Sequence, residues 1–147
     1  MGNYKLTRNE RIKDKTTFEK LFTENNCLFC YPFKLLFFIS DEKEEIPVKV
    51  AFAIPRRKVK KAHQRNRIRR LAKESYRYRK NKLWETCKSQ NISLKIMFIY
   101  TSDAIHQKNI PGAIDQLMEK LIMQIRGHEE IDTYTQGSPE SNTNRTD

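Results

Sequence analysis

Between Arg56 and Lys80 the chain carries thirteen Lys or Arg residues and a single acid, Glu74. A helix this charged can bury only a narrow face, so the fold that holds it must supply another element to receive that face. On a helical wheel Ile68, Leu71, Ala72, Ser75 and Tyr76 share one stripe. Asn66, Arg70, Lys73 and Arg77 line the opposite side, with Arg67 and Arg69 on its flanks. The pattern predicts a helix from about Ala62 to Lys80 or slightly beyond. Like charges four residues apart repel along it, and Glu74, near Arg70 and Arg77, relieves little of that.

The charge is local. The chain has 147 residues and a net charge of +11, yet outside this segment acids outnumber bases by one. Such concentration points to a polyanionic partner rather than to general solubility. Arginine predominates over lysine on the helix, which suits a bidentate grip on phosphates. The preceding loop, "PRRKVKKAH", adds Arg56, Arg57, Lys58, Lys60 and Lys61. Asn66, a poor residue for a helix interior, is either a cap or held for a specific hydrogen bond. A membrane surface is the competing partner, but interfacial helices need a broad face of Trp, Phe and Leu, which this stripe lacks. Nucleic acid is favoured.

The flanking segments read as an α+β domain. "DKTTFEKLFTEN" suggests a helix from about Thr16 to Thr23, started by Thr16 or Thr17 with Glu19, with Phe18, Leu21 and Phe22 on one side. "FKLLFFIS", Phe33 to Ser40, reads as a strand, and Val48 to Ile54 as a second that pairs with it antiparallel across the acidic turn Asp41 to Glu45. Pro55 ends the second strand. Leu94 to Tyr100 reads as a strand buried on both faces. Pro111 opens a last helix whose stripe of Ile114, Leu117, Met118, Leu121, Ile122 and Ile125 runs to a C-cap at Gly127. A further strand is possible at Leu28 to Tyr31. The expected architecture is a small, mainly antiparallel sheet covered by helices on one side, in the order α-β-β-(β)-α-β-α. Residues 1–127 form this domain, and 128–147 are expected to be a disordered polar tail.

If helices cover one face of the sheet, the other is open. Leu36 and Phe38, with Lys34 nearby, would then line an apolar groove able to stack unpaired bases. The small Ala51 and Ala53 would leave room for a ligand backbone. "CLFC", Cys27 to Cys30, lacks the further ligands of a zinc site and the helix start of a redox motif, so buried thiols are expected. Catalytic machinery is lacking: the chain has four glycines, no phosphate loop, and no acidic cluster beyond the turn. No run is long enough to span a bilayer, no secretory apolar segment opens the chain, and three cysteines fit a reducing, cytoplasmic setting.

"RNRIRRLAKESYR", preceded by "VKVAFAIPRRK", resembles the signature of the protein component of bacterial ribonuclease P, with Arg65, Asn66 and Arg67 as its Arg-Asn-Arg opening. "RIKDKTTFEKLF" and "KIMFIY" complete the likeness, which runs from about Arg8 to Arg126. Leu36 stands where members often carry Tyr, and the basic loop lacks a glycine often seen there. The resemblance implies a left-handed β-α-β crossover placing the basic helix, an exception to the usual hand. It also implies an accessory subunit of an endoribonuclease that removes the 5′ leader from precursor tRNA, with catalysis and Mg²⁺ belonging to the RNA. On this reading Arg56, Arg57, Lys58, Lys60, Lys61, Arg65, Asn66, Arg67, Arg69, Arg70, Lys73 and Arg77 face the catalytic RNA. Phe18, Phe22, Lys34, Leu36 and Phe38 face the single-stranded leader. The protein is expected to bind no cofactor or metal itself, to be a monomer joining one RNA, and to have no catalytic residue. The alternatives are a ribosomal or other structural RNA-binding protein, and a protein-only nuclease.

Overall fold

A computed structural model describes residues 8–24, 26–40, 44–105 and 107–134. After a 3-10 turn at Arg8–Glu10, the elements are α1 (Lys15–Glu24), β1 (Asn26–Cys30), β2 (Phe33–Ser40), β3 (Val48–Ala53), α2 (Ala62–Gln90), β4 (Ser93–Tyr100) and α3 (Ile110–Tyr134). The four strands form one sheet in the order β1-β2-β4-β3. Pairing is antiparallel except between β3 and β4, which are parallel and joined through α2, as a β-α-β crossover requires. The possible early strand exists as β1.

The expected hairpin between β2 and β3 does not form, because β4 lies between them. β4 is apolar on both faces, so it takes the middle, where both faces are covered. The described part of the link, residues 44–47, lies against the start of β4. The Glu44 amide donates to Ser93 Oγ at 3.2 Å, and the Leu94 amide to the Pro47 carbonyl at 2.7 Å. The Glu44 carboxylate accepts from both Lys95 and Lys49, which allows Lys95 to sit buried on the central strand. Asp41, Glu42 and Lys43 of the acidic turn lie outside the described residues.

Helices cover both faces, not one. Phe33, Leu35 and Phe37 of β2 pack with Ile96 and Phe98 of β4 under α2 and α3. The alternate residues Leu36 and Phe38, with Met97, pack under Leu21 of α1 and Ile12. This is the period-two pattern of a sheet buried on both sides. α1 starts earlier than expected: Asp14 is its cap, and its carboxylate accepts from the Thr17 amide at 3.0 Å and the Thr17 hydroxyl at 2.6 Å. Those bonds hold the Asp14 carboxyl below its usual range. The edge of β3 is covered by the chain entering α1, where the Ile12 amide donates to the Val50 carbonyl at 3.1 Å.

Two helices outrun their expected ends. α2 continues past Lys80 to Gln90 because Leu83 and Cys87 extend its buried stripe. It stops at Asn91, which adopts the left-handed conformation (φ 61°) that closes a helix. α3 passes through Gly127, overturning the expected C-cap there, and runs to Tyr134, so a boundary after 127 falls inside the helix. The rest of the expected tail lies outside the described residues. Among the described residues no helix is long and apolar enough to cross a membrane.

Candidate nucleic-acid interface

The cations of α2 divide along its length. In the second half they meet carboxylates: Arg79 with Asp115 at 3.1 Å, Lys82 with Glu119 at 3.2 Å, and Lys80 with Glu10 at 3.0 Å. The first two tie α2 to α3. In the first half the pattern changes. Arg67, Arg70 and Lys73 pair with no carboxylate among the described residues, and Arg77 meets Glu74 only at 3.9 Å. Most of the carboxylates that meet α2 brace it against α3 or the Arg8–Glu10 turn.

Asn66, Arg69, Arg70, Lys73, Glu74 and Arg77 line a shallow groove of about 640 Å³, and Arg11 joins them from the chain before α1. Burial lowers the pKa of Lys73, and the charges of Arg11 and Arg69 lower it further. Asn66 is not the helix cap. It lies inside the first turns, and its Oδ1 accepts from Arg69 Nη1 at 3.0 Å, fixing that guanidinium at the groove. Of its two sequence readings, the specific hydrogen bond is the one realised. Arg67 is exposed and lies outside this groove. Arg11 was missed as a site residue; the signal was its place in the basic N-terminal stretch, but only the fold brings it to α2.

The basic loop is a built turn. The Lys58 and Val59 amides donate to the Pro55 carbonyl at 3.0 Å, and Val59 is buried beneath. Arg65 Nη1 donates to the carbonyls of Val59 at 3.0 Å and Lys60 at 2.8 Å. Arg56, Arg57, Lys60 and Lys61 are exposed on this turn, while Lys58 approaches Asp103 at 3.6 Å. No side chain caps the start of α2 at Lys61, so the helix adds positive partial charge beside the loop. Arg65 therefore shapes the cationic surface as well as contributing to it. Arg65→Ala is expected to lower global stability by only about 1 kcal/mol. It should sharply accelerate hydrogen exchange at the Lys58 and Val59 amides while the α2 amides stay protected. Unchanged exchange at those two amides would remove the loop-shaping role.

The sheet face under α1 corrects the aromatic expectation. Leu36 and Phe38 are 4% and 5% exposed, closed over by Leu21 and Ile12, and Lys20 Nζ sits 5.0 Å from the Phe38 ring. They cannot form an open stacking platform, because α1 spends its apolar side on them. What stays open is the strip beyond α1. Lys34, Ala51, Ala53 and Ile99 are half-exposed, Phe18 is half-buried at its border, and Phe22 is 58% exposed on the helix. Phe29 of β1 is 52% exposed.

Cys27 is exposed and Cys30 half-buried, against the expectation of buried thiols, and the two are not placed as a pair. Cys27 lies opposite Leu36 and Cys30 opposite Phe33, so the two thiols stand on opposite faces of the sheet. Cys30 Sγ lies 3.2 Å from Gln116 Oε1 of α3. Burial pushes the Cys87 thiol up to about 12.

The sequence model of a family described as Ribonuclease P matches residues 6–122. The ribonuclease P protein component of Porphyromonas gingivalis is 22% identical over 127 residues, covering 86% of this chain and 90% of that protein. That of Chlorobaculum tepidum is 36% identical over 79 residues, covering 52% of this chain and 51% of that protein. In three dimensions the RNase P protein from Thermotoga maritima superposes with a TM-score of 0.55 at 19% identity, over 76% of this chain and 96% of that one. The RNase P protein of Staphylococcus aureus gives 0.56 at 14% identity, over 76% and 94%.

Proposed function

Because the chain belongs to the ribonuclease P protein family, we propose that its cationic surface binds the catalytic RNA and its open sheet strip holds the precursor tRNA leader. The chain is the protein subunit of a ribonucleoprotein endoribonuclease that processes tRNA 5′ ends, and its partner is the ribonuclease P RNA. The observation that carries the finer reading is the segregation of charge on α2. Cations that face α3 or the core have acidic partners, whereas Arg69, Arg70, Lys73 and Arg77 gather around an open groove. A surface of this kind gains free energy from phosphates and counterion release.

On this reading Arg69, Arg70, Lys73 and Arg77, with Arg11, grip the RNA backbone in the groove. Arg56, Arg57, Lys58, Lys60 and Lys61 extend the contact along the loop, Arg65 holds that loop in shape, and Arg67 adds a contact beside the groove. Asn66 aims Arg69. Lys34 and the exposed Phe22, with Phe18 behind it, border the leader; Leu36 and Phe38 support the strip from below. The protein lends binding and orientation, which raises the substrate's residence at the RNA's own active site. On this reading Mg²⁺ serves that RNA. One protein per RNA, in the cytoplasm, is the arrangement this reading implies.

The test is precursor tRNA processing at low Mg²⁺ with the protein, the cognate RNA, or both. Cleavage at the mature 5′ end is expected to recover only with both together. Cleavage by the protein alone would assign the chemistry to the chain, and full activity of the RNA without it would remove the accessory role.

A further inference from the structure

The strand register places four residues in one line across the sheet on the α1 side. Phe29 pairs with Lys34, Lys34 with Ile99, and Ile99 with Ala53. Directly opposed residues in neighbouring strands project to the same face, so these four side chains form a continuous row. With three interstrand gaps it is about 14 Å wide. The next row, Leu36 and Met97, is buried under α1. This first row is not: its members are half-exposed, and Phe29 is more exposed than the rest.

Phe29 does not serve either core. Leu28 and Cys30, its neighbours on β1, pack against the main cluster from the other face, and Phe29 belongs to neither cluster. Its backbone is nonetheless held, because Lys120 of α3 donates to its carbonyl at 2.9 Å. An aromatic ring kept half in water on a clamped edge strand, beside a lysine, has the chemistry of a base-stacking platform with a phosphate contact next to it. At its other end the row meets Ala53, just before Pro55 and the Arg56–Arg57 turn.

We propose that Phe29 stacks a base of the single-stranded leader, at the end of the row farthest from the basic loop. The inference rests on the proposed function and deepens it. The row then runs from the loop that faces the catalytic RNA, over the small Ala53 and the flat Ile99, past Lys34, to Phe29. Phe29 therefore meets a leader nucleotide distant from the cleavage site. Because stacking accepts any base, Phe29 contributes affinity for leader length more than for leader sequence.

The experiment uses the reconstituted holoenzyme and two precursor tRNAs, one with a leader too short to cross the row and one long enough to pass it. Wild type is expected to bind the long-leader substrate more tightly. Phe29→Ala should lose roughly ten-fold in affinity for the long leader, the worth of about one stacked base, with the loss confined to that substrate. Phe29→Trp should restore the affinity and Phe29→Leu should not. Equal weakening of both substrates, or full rescue by Leu, would overturn the stacking role. So would a change in oligomeric state of Phe29→Ala by sedimentation, which would mark the patch as a protein contact. If wild type itself ignores leader length, the leader reading of the sheet strip fails; if wild type responds and Phe29→Ala behaves like it, only the role of Phe29 fails.

Discussion

Lys80→Met is expected to lower the unfolding free energy by about 3–5 kcal/mol, the cost of stranding one member of a buried ion pair. Lys80 sits on the buried stripe of α2 between Tyr76 and Leu83, with its Nζ 3.0 Å from both carboxylate oxygens of Glu10. Both side chains are 3% exposed. The ammonium also lies 5.2 Å from the Trp84 ring, whose Nε1 donates to the Tyr76 hydroxyl at 3.4 Å. Burial pushes the Tyr76 phenol far above its usual range, and the Glu10 charge adds to that. Methionine fills similar volume but removes the ammonium that compensates the buried Glu10 carboxylate. For a domain of this size the loss corresponds to a fall of roughly 10–20 °C in Tm.

Urea denaturation of Lys80→Met, Glu10→Leu and the double variant checks this. The double variant should recover most of the loss, since replacing both members of a buried pair by apolar residues is often close to neutral. A cost below about 1 kcal/mol for the single variant would mean that water reaches the pair. The pair also has a positional consequence. It docks the Arg8–Glu10 turn against α2, and the next residue, Arg11, then reaches the cationic groove. A buried charge pair, costly in itself, thus carries the N-terminal segment to the binding surface.

Lys80 illustrates what one-dimensional reading could and could not reach. In the sequence it is one of thirteen cations in a run, and its partner lies 70 positions away. Four residues after Tyr76, it falls on the buried stripe of α2, which its charge opposes, and the pairing with Glu10 reconciles the two. Local pattern was informative where the physics is local. The doubly apolar β2 and β4 and the stripe of α3 were all legible, as was the basic face of α2. Strand order was not, because inserting β4 between β2 and β3 depends on contacts between distant segments. The same limit explains Leu36 and Phe38. Both faces of β2 read as apolar, and the closure of α1 over one of them rests on contacts between distant segments. Phe29 was overlooked because β1 is short and polar at its start, and its row exists only through cross-strand register.

Replacing Arg11, Arg69, Lys73 and Arg77 together by glutamine is expected to collapse affinity for the catalytic RNA while leaving the fold intact. For the wild type, about 6–8 phosphate contacts at roughly 0.7–0.9 each give a log–log salt slope of about −4 to −7. Removing four contacts should make that slope shallower by about 3. Followed from ~1 M down to ~0.15 M salt, a change of that size is a loss of roughly a few hundred-fold in affinity. Stability should move the other way or not at all. The four cations repel across the groove, and the charges of Arg11 and Arg69 add to burial in lowering the pKa of Lys73; among the described residues their ion pairing is confined to a long contact between Arg77 and Glu74, while Arg69 is held by Asn66. Relieving such repulsion is worth about 0.2–0.5 kcal/mol per pair. Titrations at several salt concentrations, beside a urea melt of the same variant, separate the two effects. An unchanged slope with reduced stability would make the groove a structural feature. A shallower slope with undiminished stability would mean that the cations cluster at a cost to the free protein, and that the cost is recovered when RNA phosphates enter the groove.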